Sequence, residues 1–413
     1  MSDRFVSSAS WVAFGIFAAL LYLVSSCASD SETGEPADSV PAVAPSDPQA
    51  ETTVASNPPV AALPPEGNPE LLDEWNQLEV RDGRLVMLDG VTPYTLNSPL
   101  FSDYAQKLRT VWLPDGSAAA NYDADETFDF PVGTVITKTF YYPVPDGAAA
   151  GAPEVLRFNP EVTNAAVPLD LADVRLIETR VLVHRDDGWQ AFPYVWNDDE
   201  TEAGLQRTGD LVQLTATADD GVETPLAYVV PDVNQCANCH ATNHSSGDIV
   251  PIGPKARHLN GAVDFGDGPQ PQLEYWEQIG LLTAAPAATE IPSAAVWDDE
   301  SAELEERARA YLDINCAHCH SPVGAADTSG LFLDVETEIG PEYGICKAPV
   351  AAGSGTGGRL VDIHPGQPDE SILVYRMDAT DPASMMPELG RSVAHDEGVD
   401  LIAEWIETLE GDC

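Results

Sequence analysis

The sequence predicts a multidomain protein in which a β-rich, sandwich-like N-terminal domain precedes mainly α C-terminal segments. Three observations carry that expectation. Short β-branched and aromatic runs with turn signals fill residues 71–225. Apolar residues at helical spacing appear around 303–315 and 399–409. A chain of 413 residues also exceeds what a single small core usually holds. The expected division is a leader at 1–27, a linker at 28–70, the β-rich domain at 71–225, and two C-terminal segments at 226–298 and 299–413.

Charge narrows the class further. The chain carries 68 acidic against 19 basic residues, a formal net charge of −49. That balance excludes the usual nucleic-acid binder, because phosphate contacts need a basic face. It equally disfavours docking on an anionic membrane surface by charge. Residues 1–70 hold nine of the acids and one base, so the body keeps about −41. Adaptation to saline surroundings is a simpler source of this acidity than a specific basic partner. Hydrophobic content of 44% and eight tryptophans argue for buried cores.

The first 27 residues read as an address. Arg4 precedes a 14-residue apolar run, Trp11 to Val24, too short for a comfortable membrane span but right for a signal-peptide core. It ends in Leu23-Val-Ser-Ser-Cys27, which resembles a bacterial lipobox. The resemblance implies acylation of Cys27, export, and anchoring to a membrane as a lipoprotein through its N-terminal lipid. Ala28, where inner-membrane retention favours aspartate, points by the same resemblance to the outer membrane. The alternative is a plain secretory signal with an incidental Cys27. Residues 28 to about 68 lack aromatic and basic residues and are rich in Pro, Ala, Ser and acids, the composition of a solvated stalk.

The β-rich region has recognisable strands. Thr134 to Tyr142 is almost wholly β-branched and aromatic, and Leu176–His184 and Trp189–Trp196 flank an Asp-Gly turn signal. Leu211–Thr217 and Leu226–Val230 add two more. No nucleophile–base constellation is visible. Ser98, Ser102 and Asp103 read as turn formers, and His184 as a structural histidine.

The chemistry lies further on. Cys236-Ala-Asn-Cys239-His240 and Cys316-Ala-His-Cys319-His320 both read C-x-x-C-H, the c-type haem attachment pattern. Two cysteines three apart reach the two vinyl groups of one porphyrin, and the histidine that follows sits under the iron. With eight histidines in the chain, one after both pairs by chance is about 1 in 2,700. A zinc ribbon brings its C-x-x-C pairs within about 15–20 residues, whereas these start 80 apart. A thioredoxin-like pair needs a βαβ context that is not visible here. The reading is two covalently attached haem c groups, with His240 and His320 as iron ligands.

The second site carries more of a haem domain. Glu303–Asn315 is expected as a helix running into Cys316, and Val399–Leu409 as a C-terminal helix. Between them Arg376 to Pro387 contains three methionines. Met386, directly before Pro387, is the best sixth-ligand candidate, then Met385, then Met377; a thioether there raises the potential. His364 and His395 are alternatives that sit beside turn or helix-start residues. At the first site no methionine occurs between Met87 and Met377, and Pro251–Asn260 resembles the Gly-Pro segment that lines haem pockets; the resemblance offers His258 there as the candidate sixth ligand. An iron left open on that side is the other reading. Leu273–Leu282 is expected as a short helix on the porphyrin edge. Of the seven cysteines, four are haem links and one the lipid site, which leaves Cys346 and Cys413. In an exported chain these favour a disulfide, with a reactive thiol pair as the alternative.

With these residues in view, residues 93 to 413 resemble a poorly characterised family of bacterial dihaem c-type cytochromes. The likeness rests on Pro99-Leu-Phe-Ser-Asp-Tyr-Ala-Gln-Lys107, Phe130-Pro-Val-Gly-Thr134, Tyr194-Val-Trp-Asn197, both C-x-x-C-H motifs and Cys346-Lys-Ala-Pro-Val-Ala-Ala-Gly353. It implies mainly α cytochrome c-type haem domains behind the β-rich one, and single-electron transfer between haems and a redox partner protein. A peroxidase-like enzyme using an open first haem, with the β-rich domain binding substrate or partner, is the second reading. Haem propionates add further negative charge, so a partner must be basic at its contact or dock through apolar edges.

Overall fold

Val135–Pro143 is a run of β-branched and aromatic residues in which every residue but Lys138 is buried. It accordingly takes a central place in a six-stranded sheet. Across that sheet run Ala203–Leu205, Gly188–Trp196, Val174–Arg185, Val135–Pro143, Gln106–Trp112 and Thr92–Tyr94, each antiparallel to the next. The Asp-Gly signal closes a two-residue hairpin: Arg185 pairs with Gly188 around Asp186-Asp187, and Gly188 takes the positive φ that a glycine tolerates. The structure is a computed structural model and describes residues 61–63, 67–158, 168–266, 268–350 and 352–413. The expected leader, Cys27 and the linker up to residue 60 lie outside the described residues.

Both faces of the sheet are covered. On one, Leu108, Val181, Val183 and Tyr194 pack against Trp75, Leu78 and Leu85 from the hairpin Leu78–Arg81/Arg84–Met87. Trp75 Nε1 donates to the Tyr194 hydroxyl at 2.6 Å, which satisfies the indole in that core. On the other face, Val111 and Ile136 meet Leu259, Leu273, Trp276 and Leu282. Further along, Phe140, Tyr142 and Ile177 meet Leu214, Leu226 and Tyr228 of a smaller sheet built on Asp210–Thr217 and Glu223–Val230. Burying each large side chain contributes about 1.5–3 kcal/mol, so both contacts are strong seams.

The expected fold class is corrected here. The C-terminal part is not a pair of mainly α cytochrome c-type domains; among the described residues strand exceeds helix. Helices α1 (Cys236–His240), α2 (Ala256–Leu259) and α3 (Gln272–Gln278) are one or two turns long. Only α4 (Leu304–Leu312), α5 (Ile372–Asp378) and α6 (Asp396–Thr408) frame the end of the chain. Between α4 and α5 the chain runs through turns and short 3₁₀ segments. The physical reason is in the composition: the longer helical stretches fall at 303–315 and 396–409, and Pro and Gly punctuate what lies between, from Pro341 to Pro368.

The multidomain expectation fails for a related reason. Residues 57–413 form one unit, and the core around Trp276 takes side chains from both sides of residue 225. Leu282–Thr283 pairs with Ala120–Asn121, and the Thr127 hydroxyl donates to the Pro251 carbonyl at 2.6 Å. The segment after the first C-x-x-C-H motif is thus part of the sheet's own cover.

Candidate haem-attachment sites

The first motif forms α1, five residues after the strand Glu223–Val230. Cys236 is buried at its start, its Sγ 3.7 Å from the Asp232 carbonyl. His240 Nδ1 lies 2.8 Å from the Val250 carbonyl. A carbonyl can only accept, so Nδ1 carries the proton and Nε2 presents its lone pair. Burial, followed by the nearby positive charge of Lys138, pushes the His240 pKa down to about 3. A neutral imidazole fixed through Nδ1 is the form that ligates a metal.

The second motif follows α4 through a π-type turn, Asp313–Ala317. The Asn315 side chain caps this region from within, donating to the Tyr311 carbonyl at 2.9 Å and accepting the Phe101 N–H at 2.8 Å. The Cys319 and His320 N–H groups both return to the Cys316 carbonyl, at 3.1 and 2.9 Å. His320 repeats the arrangement of His240: Nδ1 stands 3.3 Å from the Leu331 carbonyl, and burial lowers its pKa. Two histidines 80 residues apart in sequence share one tautomer and one kind of anchor.

The four motif cysteines are free, and burial pushes all four thiols up, Cys316 and Cys319 to about 12. A thioredoxin-like pair needs a thiol pushed the other way. Nor, among the described residues, do three or more His, Cys, Asp or Glu side chains converge as a cage for a bare metal ion. An axial histidine beside two thioether-forming cysteines requires neither condition.

The motifs meet. Cys319 Sγ donates to the Asn238 carbonyl at 3.6 Å, and the His244 N–H donates to the Val323 carbonyl at 2.7 Å. Both border a cavity of about 670 Å³ whose wall includes Cys239, Cys316, Cys319, His320, Met377 and Met386. That volume falls within the range of cofactor pockets, about 300–1,000 Å³. The residues of the second motif therefore fit a haem, since Cys316, Cys319, His320 and Met386 border one space, whereas Cys236 and His240 of the first motif are not on that wall.

Met386 is held by its backbone. Its N–H donates to the Arg376 carbonyl at 2.9 Å, and its own carbonyl accepts from Arg391 Nε at 3.2 Å and Nη2 at 2.9 Å. Met377 also borders the cavity from α5, while Met385 is buried and does not border it. His395 borders it too, stacked 4.3 Å from Phe101 and 2.9 Å from the Tyr311 hydroxyl. His364 stands apart, its Nδ1 3.1 Å from the Pro365 carbonyl.

His258 is placed elsewhere. It is 2% exposed on α2 and does not border the cavity. Its Nε2 donates to Asp313 Oδ2 at 3.1 Å, while Arg257 grips the same carboxylate at 2.7 and 3.1 Å. The Arg257 and His258 hydrogen bonds hold the Asp313 carboxyl far below its usual range against the opposing effect of burial. His258 joins α2 to the approach of the second motif rather than facing the first. Cys346 and Cys413 form a disulfide with Cα atoms 5.3 Å apart.

Two sets of residues escaped the sequence reading. Ser98 and Asp103, read as turn formers, fasten the sheet to the C-terminal segments. The Ser98 hydroxyl donates to the Ala295 carbonyl at 2.8 Å and accepts the Trp297 N–H at 2.9 Å. Asp103 accepts the Ser392 and Val393 N–H groups at 2.6 and 3.0 Å. The second set, Lys107, Arg109, Lys138 and Arg180, gathers on the sheet face near the first motif. Its signal was present: a lysine in the middle of the β-branched run Thr134–Tyr142, in a chain with only four lysines. Comparison with protein-family models, with curated proteins and with solved structures finds no match to the chain.

Proposed function

We propose that the chain is a dihaem electron-transfer protein, c-type by its haem linkage rather than by its fold. One observation carries the reading: two C-x-x-C-H turns, each with its histidine anchored through Nδ1 to a backbone carbonyl, meet at Asn238 and Cys319. Haem iron supplies reversible one-electron chemistry when bound. The chain's own residues do the rest. Cys236 and Cys239, and Cys316 and Cys319, hold the two porphyrins; His240 and His320 offer Nε2 to the irons. Met386, bordering the same cavity as His320, supplies a thioether that raises the second potential. Bound at these motifs, the two groups would supply one-electron exchange with a partner protein, and the contact of Cys319 with Asn238 would keep the two attachment turns side by side. Cys27, as a lipid anchor on an exported chain, would keep that traffic at a membrane, the outer membrane by the lipobox resemblance.

A second reading has its own support. His258 is committed to Asp313, which favours a first iron without a second protein ligand from that side, as a peroxidase-like redox enzyme requires.

The test is the mass and spectrum of the full chain matured in a bacterium that installs c-type haem. Two covalent haems, and a rise in high-spin iron in Met386→Ala at one haem only, are expected. A mass without haem overturns the reading. An unchanged Met386→Ala spectrum removes that ligand, and low-spin irons at both sites remove the peroxidase-like alternative.

A further inference from the structure

The cavity wall has a charge balance opposite to that of the chain. The sequence holds 68 acidic residues against 19 basic ones. The wall instead holds three lysine or arginine cations, Lys347, Arg376 and Arg391, against two carboxylates, Asp362 and Glu388. Two of those cations are engaged elsewhere. Lys347 Nζ pairs with Asp362 Oδ2 at 2.9 Å. Arg391 donates to backbone carbonyls: Nε to Met386 at 3.2 Å, Nη1 to Val393 at 3.1 Å, and Nη2 to Met386, Arg376 and Ala379 at 2.9, 3.0 and 2.8 Å. Glu388 is exposed to solvent.

Arg376 is the exception. It stands on α5 directly before Met377, half-buried. Its Nε donates to the Ser384 carbonyl at 3.0 Å, and its own carbonyl accepts the Met386 N–H at 2.9 Å. Both bonds fasten it to the loop that carries Met386. Among the described residues no carboxylate pairs with its guanidinium, and Nη1 and Nη2 have no hydrogen-bond partner. A half-buried cation without a partner is unfavourable. The guanidinium also lies against bare backbone. A Cβ built on Gly355 would stand 3.3 Å from Arg376 Cζ and 3.5 Å from Nη2. Gly355 is buried in the turn Gly353–Thr356 and is not among the glycines of positive φ. Its missing side chain therefore makes room for the guanidinium rather than for an unusual backbone. The two Nη groups left over are the paired donors that take a carboxylate.

A space that takes a haem must also take its two propionates. We infer that Arg376 seats a propionate of the haem attached at Cys316 and Cys319, with Nη1 and Nη2 donating to that carboxylate while Nε stays on Ser384. The inference rests on the dihaem reading and deepens it, because Arg376 becomes a positioning residue for the second haem. Cys316, Cys319, His320, Met386 and Arg376 all border the one cavity. The same arginine is bonded to the Met386 backbone, so an occupied guanidinium steadies the loop from which the thioether comes. A role confined to holding Ser384 would use Nε alone. It would leave the two Nη groups and the space kept open at Gly355 without a purpose.

The experiment compares the full matured chain with Arg376→Gln, Arg376→Lys and Gly355→Ala. Intact mass counts haems, a spectroelectrochemical titration resolves two potentials, and resonance Raman reads the propionate bending bands. Losing a cation beside the porphyrin stabilises oxidised iron. Arg376→Gln should therefore keep two haems, lower one potential and shift a propionate band, with the other potential in place. Arg376→Lys keeps the charge without the paired donors, so the potential should return toward wild type while the band stays shifted. Gly355→Ala keeps the charge and presses the guanidinium by a few tenths of an ångström. It should shift the same band with the potential held, and it carries the test should the Arg376 variants fail to fold. Two haems with propionate bands unchanged in Arg376→Gln and Gly355→Ala, whatever the potentials do, would overturn the inference alone. A wild-type mass without covalent haem overturns the dihaem reading, and the inference with it.

Discussion

The two C-x-x-C-H motifs have the same chemistry but different supports. The second is built largely from its own neighbourhood: α4 leads into it, Leu331 anchors His320, and Met377 and Met386 come from the following segment. The first is a five-residue helix whose surroundings are borrowed from strands far upstream, with Lys138 and Arg180 beside it. The difference teaches that a linkage motif can be local while its electrostatic setting is imported. Methionines border the cavity beside the second motif, and no methionine lies near the first in sequence.

The comparison breaks most visibly if the sites do not load separately. Cys236→Ala with Cys239→Ala, and Cys316→Ala with Cys319→Ala, should each lower the covalent haem count from two to one by mass. Their histidines have separate anchors, Val250 and Leu331, so neither needs the other to form. Loss of both haems in either variant would show a single cooperative site.

How much of this was legible follows the same division. Both motifs, the α4 and α6 helices, the Asp186-Asp187 hairpin and the pairing of Cys346 with Cys413 are local patterns or cysteine arithmetic, and all can be read along the chain. The helical haem domains were over-read. The mainly α expectation came from the family resemblance, while the Pro- and Gly-rich interval between the two amphipathic stretches cannot sustain helix. Beyond the single lysine inside Thr134–Tyr142, the grouping of the sheet-borne cations and the Asp313 clamp were not legible, because register between strands and contacts across more than 50 residues leave no periodic trace. His258 is offered by the likeness of its Gly-Pro segment to a haem-pocket lining. Its commitment to Asp313 depends on where α2 sits against the sheet.

That clamp joins the two supports and gives the next largest effect. Asp313 is completely buried, and removing one partner of a buried pair costs about 3–5 kcal/mol. Asp313→Asn should lower unfolding stability by that order at neutral pH, as read by denaturant midpoint. The sign of its pH dependence is fixed. The native carboxyl pKa lies below the unfolded value of about 3.9, so the contribution is complete above that value and fades as pH falls through the lower native one. Burial also lowers His258, so keeping it neutral disfavours the native state as pH drops below about 6.5. Wild type should therefore lose more stability than Asp313→Asn on acidification from about pH 5 to pH 3. Equal losses would show that the clamp is not an ion pair.

The smallest effect separates the sites most cleanly. The Cys346–Cys413 bond closes a loop of 67 positions that begins after the second motif and runs to the chain end. Loops of this length stabilise by about 2–4 kcal/mol, chiefly by restricting the unfolded chain. Next to Cys346, Lys347 pairs with Asp362 at 2.9 Å, and both border the cavity. The Cys346 N–H donates to the Ile363 carbonyl at 2.9 Å, which holds that wall in register. Cys346→Ser with Cys413→Ser should lower the unfolding midpoint by an amount of that order and broaden the optical band of the second haem. The first haem, resting on the sheet, should keep its spectrum and potential. Equal disturbance at both would mean that the C-terminal wall supports the pair together.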